Sequence, residues 1–157
     1  MPRDDSLNIR AMTSGEFVDA ALTLGAGRTE ALQSYRACFR TGSPLPLPGC
    51  SLHTPKMPII TSRTEHGTRK FIQRMDDGLE TETVILQQRG STGRRRTTLC
   101  LSSQVGCAMG CRVCETAQMG RLRQLTTDQV VAQWHAARHD LHTAIDNIVF
   151  MGMGEPM

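Results

Sequence analysis

At 157 residues, with 39% hydrophobic and 21% charged side chains, the chain is long enough for one ordinary domain with a real hydrophobic core. No apolar run approaches the roughly 20 residues that span a bilayer, and the start at Met1–Ser6 lacks the basic-then-apolar pattern of a secretory signal, so a soluble cytoplasmic protein with no membrane partner is expected. A net charge of +3, from 18 basic and 15 acidic residues, permits a nucleic-acid partner without establishing one.

Residues 13 to 40 read as helical. Thr13 and Glu16 have capping-box spacing, and Phe17, Ala20, Ala21 and Leu24 follow at helical intervals. A second helix starts after Thr29 and places Leu32, Tyr35 and Phe39 on one face; Gly42 and the alternating prolines from Pro44 to Pro48 end it. The Pro-rich stretch to about Pro58 reads as a linker and the domain boundary.

Arg69–Met75 and Glu80–Leu86 read as two strands joined at Asp77-Gly78, a hairpin turn signal. A glycine-flanked turn at 90–93 leads through Arg94, Arg95 and Arg96 into a third strand, Thr97–Ser103. With Arg89 before them, these arginines read equally well as a solvated turn or as a phosphate-facing rim. Past a cysteine-rich loop, Thr126 and Gln129 form a second capping box, and Val130, Trp134, Ala137 and Leu141 make an apolar helical stripe. The run Asn147–Met151 resembles a strand buried on both faces. Strand, loop, helix and strand make a βαβ unit with parallel outer strands, the start of an α/β barrel or open α/β sheet.

Six cysteines without a signal peptide favour metal or redox chemistry over disulfides. Cys107, Cys111 and Cys114 form a Cys-x3-Cys-x2-Cys motif; Cys38, Cys50 and Cys100 have no ligand-like spacing. Three thiolates on one short loop suit a [4Fe–4S] cluster with one iron left open, whereas an electron-transfer cluster takes four. Gly106 and Gly110 relieve crowding where the backbone passes near such a cluster. The open iron can chelate the methionine end of S-adenosylmethionine, whose sulfonium bond an electron from the cluster breaks to give an adenosyl radical. The competing reading is zinc, completed by Cys100 or a histidine such as His135. Met151-Gly152-Met153-Gly154-Glu155-Pro156 lies at the carboxyl end of the second parallel strand, where α/β proteins bind ligands, and Glu155 can accept a hydrogen bond from the ligand's ammonium group.

From about Gly67 to Pro156 the chain resembles the RlmN/Cfr family of radical S-adenosylmethionine RNA methyltransferases. The residues that carry this are Gly67–Phe71, Glu82-Thr83-Val84, Thr98–Cys107 with its Ser102-Ser103-Gln104-Val105-Gly106-Cys107 run, Thr116-Ala117-Gln118 and Met151–Pro156. The resemblance implies a partial (βα) barrel of radical-SAM type, here only its first βαβ unit, in residues 59–157. A β-hairpin extension precedes that unit, and a small helical accessory region with its linker occupies 1–58. It assigns Cys107, Cys111 and Cys114 to the cluster, Gly154 and Glu155 to S-adenosylmethionine, and Glu82 to the role of proton acceptor. Strand alternation puts Glu80 on the same face, and only the Thr83-Val84 that follows distinguishes Glu82. It further implies methylation of an adenine ring carbon, C2 in preference to C8, in 23S ribosomal RNA and for some members transfer RNA. The methyl group travels by way of a late cysteine, and an electron donor such as flavodoxin feeds the cluster. Val113 and Glu115 stand where the family has an aromatic and a serine. The rest of the barrel and the late cysteine would lie beyond Met157, so the chain is expected to be the front part of a larger enzyme. The alternative is a truncated, non-catalytic iron–sulfur or zinc-binding protein with an RNA-binding role.

Overall fold

The computed structural model describes residues 6–89 and 93–156. The chain divides into two compact units, Met1–Pro55 and Lys56–Met157. In the first, β1 (Ser6–Asn8) pairs in parallel with β2 (Ser51–His53), and α1 (Ser14–Thr23) and α2 (Arg28–Thr41) lie between them in sequence. The Thr13–Glu16 capping box forms as expected: Glu16 Oε2 accepts the Thr13 N–H at 2.8 Å, and Thr13 Oγ1 accepts the Glu16 N–H at 3.4 Å. The second helix begins at Arg28, one residue before Thr29, with Gly27 at its N-cap, and ends at Gly42 in the left-handed conformation. Ile9, Phe17, Ala21, Ala31 and Cys38 form the core, with Tyr35 and Phe39 packed against it.

The second unit is built on a five-stranded sheet in the order β3 (Ile59–Glu65), β4 (Thr68–Arg74), β5 (Glu80–Arg89), β6 (Arg95–Cys100), β9 (Asn147–Val149). The first four strands run antiparallel; β6 and β9 are parallel, as the βαβ reading requires. β4 and β5 are joined around Asp77-Gly78, with Arg74 opposite Glu80. β3 went unrecognised in the sequence because six of its seven residues are exposed, so it carries no apolar alternation.

One face of the sheet presents Phe71, Ile85 and Leu99, joined by Leu101, to α4 (Thr127–His135) and the π-helical turn Ala136–Asp140. Ala136 and Ala137 are buried there, and Val130, Trp134 and Leu141 flank them, which is the stripe read from the sequence. Each large side chain fully withdrawn from water contributes about 1.5–3 kcal/mol. On the opposite face Ile72, Val84 and Leu86 are only half-buried.

Two strand expectations need correction. The third strand does not run from Thr97 to Ser103: it spans Arg95–Cys100, and Ser102 leaves the ladder to engage a buried glutamine. Asn147–Met151 is not buried on both faces. β9 is the outer strand of the sheet as described, so Ile148 and Phe150 are each 48% exposed and Met151 79%. Most of the turn at 90–93 lies outside the described residues. Among the described residues, no helix is long and apolar enough to cross a membrane.

Candidate cofactor site

The cysteine loop is carried by a small antiparallel ribbon, β7 (Gln104–Gly106) with β8 (Arg121–Gln124), in the register Gln104–Gln124, Val105–Arg123 and Gly106–Arg121. Its base is closed by Cys107 N–H donating to the Gly120 carbonyl at 3.1 Å. That closure requires glycine at 106: φ is +74°, and a Cβ would overlap the Gly120 carbonyl oxygen. Inside the loop, Cys114 N–H donates to the Cys111 carbonyl at 3.1 Å and opens the four-residue helix α3 (Glu115–Gln118). Cys107 is buried, Cys114 half-buried and Cys111 exposed, and all three are free thiols.

The Ala117 N–H first, then the Thr116 hydroxyl and N–H, hold the Cys114 thiol below its ordinary range, with partial desolvation and the Glu115 carboxylate opposing. The donor set therefore suits a thiophilic cluster: three unbridged thiols on one pinned loop, one of them stabilised as thiolate. The three do not converge. Among the described residues no group of three or more His, Cys, Asp or Glu is gathered to hold a metal, and neither Cys100 nor His135 joins the triplet. Cys100 lies in β6 opposite Val84, where burial pushes its thiol up. His135 lies in α4, its ring 4.5 Å from that of His139. Val113 is 99% exposed and shields nothing here.

Beyond β9 the chain folds back over the approach to the cysteine loop. Ser103 N–H and Gln104 N–H both donate to the Met153 carbonyl, at 2.9 and 3.1 Å, and Ser102 Oγ accepts the Met153 N–H at 2.8 Å. Gln104 Nε2 donates to the Glu155 carbonyl at 3.2 Å, while its Oε1 accepts the Glu155 N–H at 3.4 Å. Gly154 lies against the same glutamine, with φ +95° and its would-be Cβ 2.5 Å from Gln104 Cβ, so no side chain fits there. The two motifs singled out in the sequence thus form one hydrogen-bonded unit.

Glu82 reaches that unit through its backbone. Ser102 Oγ donates to the Glu82 carbonyl at 2.6 Å, so one hydroxyl joins β5 to the strand end. The Glu82 carboxylate lies on the open sheet face with Lys70 Nζ 2.9 Å from Oε2, whereas Glu80 pairs with Arg74 at the strand's start. Behind them Gln133, fully buried in α4, accepts from Thr83 Oγ1 and Ser102 N–H, both at 2.9 Å, and donates to the Ser102 carbonyl at 3.0 Å. Sequence reasoning assigned no role to Ser102, Gln104 or Gln133. The available signal was Gln133 itself, a polar residue set three after Val130 and four before Ala137, on the apolar stripe.

No protein-family model matches the chain. It is 45% identical over 105 residues to the dual-specificity RNA methyltransferase RlmN of Lawsonia intracellularis, covering 63% of this chain and 29% of that protein. It is 46% identical over 97 residues to the RlmN of Alkalilimnicola ehrlichii, covering 60% and 26%. The chain thus spans less than a third of the length of these relatives. Among solved structures it resembles a radical SAM methyltransferase from Sphaerobacter thermophilus, with a TM-score of 0.70 and 27% identity over 96% of this chain and 48% of that one. A sequence likeness centred on RNA methyltransferases, and a structural one to a radical SAM methyltransferase, make this chain similar to part of the RlmN/Cfr family of radical S-adenosylmethionine RNA methyltransferases.

Proposed function

We propose that this chain supplies the cluster-binding and S-adenosylmethionine-binding part of an enzyme that methylates an adenine ring carbon of RNA. The carbon is C2 in preference to C8, in 23S ribosomal RNA with transfer RNA as a further substrate. In this reading Cys107, Cys111 and Cys114 hold a [4Fe–4S] cluster within the first βαβ unit of a partial (βα) barrel, and Gly154 and Glu155 bind S-adenosylmethionine. The protein works in the cytoplasm with a flavodoxin-type electron donor. When bound, the cluster supplies the electron that breaks the sulfonium bond.

The observation that carries the reading is the hydrogen bonding of Ser102, Ser103 and Gln104 to Met153 and Glu155, which ties the cysteine ribbon to the glycine–glutamate strand end. A ligand bridging the loop and the strand end needs that spacing held, and hydrogen bonds to the Met153 and Glu155 backbone hold it without using the Glu155 carboxylate. In the same reading Glu82, whose Oε2 lies 2.9 Å from Lys70 Nζ, serves as the proton acceptor.

The test is anaerobic purification with iron and sulfide reconstitution. About four irons per chain, lost in Cys111→Ala, together with cleavage of S-adenosylmethionine, supports the reading. Bound zinc and intact S-adenosylmethionine would refute it in favour of a non-catalytic metal protein.

A further inference from the structure

In the β5–β6 ladder, Gln87 faces Thr97, Gln88 faces Arg96 and Arg89 faces Arg95. Directly opposed residues share a face with Cβ atoms about 4.5–5.5 Å apart, and like charges so placed are destabilising. Alternation sends Arg96 to the other face, where Lys70 and Glu82 lie, and Arg94 immediately precedes the strand. All four arginines are exposed, and none belongs to an ion pair among the described residues. The carboxylate of Asp146 accepts the Thr97 N–H on Oδ2 at 2.8 Å and forms no ion pair with an arginine among the described residues. By contrast, Arg63 and Arg74 of the same sheet each hold a glutamate, at 2.7 and 2.8 Å.

A fold that gives Arg63 and Arg74 a glutamate and Arg69 the Ser62 hydroxyl, yet sets two arginines directly against each other beside a third and a fourth, leaves a site whose missing component is an anion. Guanidinium groups suit phosphate because their forked donors meet its oxygens two at a time. Arginines projecting from both faces of one sheet end match a run of phosphates better than a single one. We infer that this end of the sheet is a docking surface for the sugar-phosphate backbone of RNA, with Arg89 and Arg95 gripping one phosphate together and Arg94 and Arg96 engaging its neighbours. That the polyanion is RNA rests on the proposed function; the surface itself rests on the register and the missing counter-charges.

The test measures binding of a fluorescein-labelled RNA hairpin to the full chain by anisotropy across a potassium chloride series, without cluster or S-adenosylmethionine. Each phosphate contact contributes about 0.7–0.9 to the slope of log affinity against log salt. Arg89→Gln with Arg95→Gln is expected to lower that slope by about 0.7–0.9, the share of one phosphate, and to leave the urea midpoint equal to wild type or higher. Arg63→Gln with Arg74→Gln, the same change of charge at paired arginines, is expected to leave the slope unaltered. An equal fall in both doubles, no RNA binding at low salt, a lowered midpoint in the first double, or tighter binding of poly-glutamate than of RNA each overturns the surface. Iron content on the same preparations separates the two readings: arginine-dependent RNA binding without iron removes the catalytic one alone, and iron with an unchanged slope removes the docking surface alone.

Discussion

Replacing Gln133 with leucine keeps the side-chain volume and deletes one amide from the interior of the second unit. The amide satisfies the Ser102 N–H, the Ser102 carbonyl and the Thr83 hydroxyl. Each buried group left without its partner costs about 1–3 kcal/mol, and the added apolar burial offsets about 1–2 kcal/mol of the total. A net loss of about 3 kcal/mol is expected, a large share of the 5–15 kcal/mol that a domain possesses. Thr83→Val added to Gln133→Leu should return about 1 kcal/mol by removing the stranded hydroxyl, although Thr83→Val alone destabilises. Trp134, the only tryptophan, packs against the same core, so urea unfolding followed by its fluorescence reports on this unit. A loss under 1 kcal/mol, or strict additivity of the two substitutions, would contradict the network as described.

Gly154→Ala combines a left-handed backbone with a Cβ that meets Gln104, so it should cost about 2 kcal/mol or more in thermal denaturation. It should also weaken S-adenosylmethionine binding while leaving iron uptake intact, since the cysteine loop is closed elsewhere; equal loss of both would refute the separation. Asp77 gives a pH dependence. The Leu79 N–H, and after it the Arg123 guanidinium 2.7 Å away, hold its carboxyl below the usual range. A depressed carboxyl stabilises the fold above its unfolded value of about 3.9, and this is lost as pH falls through its lower folded value. Asp77→Asn should therefore flatten the acid limb of the stability profile below about pH 4 and change little of its shape near neutrality. An acid limb as steep as wild type would rule the contact out as its source.

Legibility in the sequence followed the range of the interactions. Both capping boxes, the Asp77-Gly78 turn and the Val130–Leu141 stripe rest on residues within a few positions of each other, and all were readable. β1, β2, β7 and β8 are three or four residues long and exist through pairing with distant partners, so no local period announces them. The cysteines and the glycine–glutamate run were visible as motifs. What joins them was not, because Ser102 meets Met153 across about 50 positions of chain. Burial of β9 was overestimated because an apolar run records what a strand can cover, whereas exposure depends on what lies beside it.

The hydrogen bond from Cys107 to the Gly120 carbonyl has an entropic consequence. Bringing together the ends of a free segment of about a dozen residues costs about 2 kcal/mol. Here the fold meets that cost through β7 and β8 alone. Convergence of Cys111 and Cys114 on Cys107 then requires only rearrangement within a closed ring. Opening the ring at Gly106 would return the closure cost to any step that gathers the three thiols on the proposed cluster, although every thiol remained.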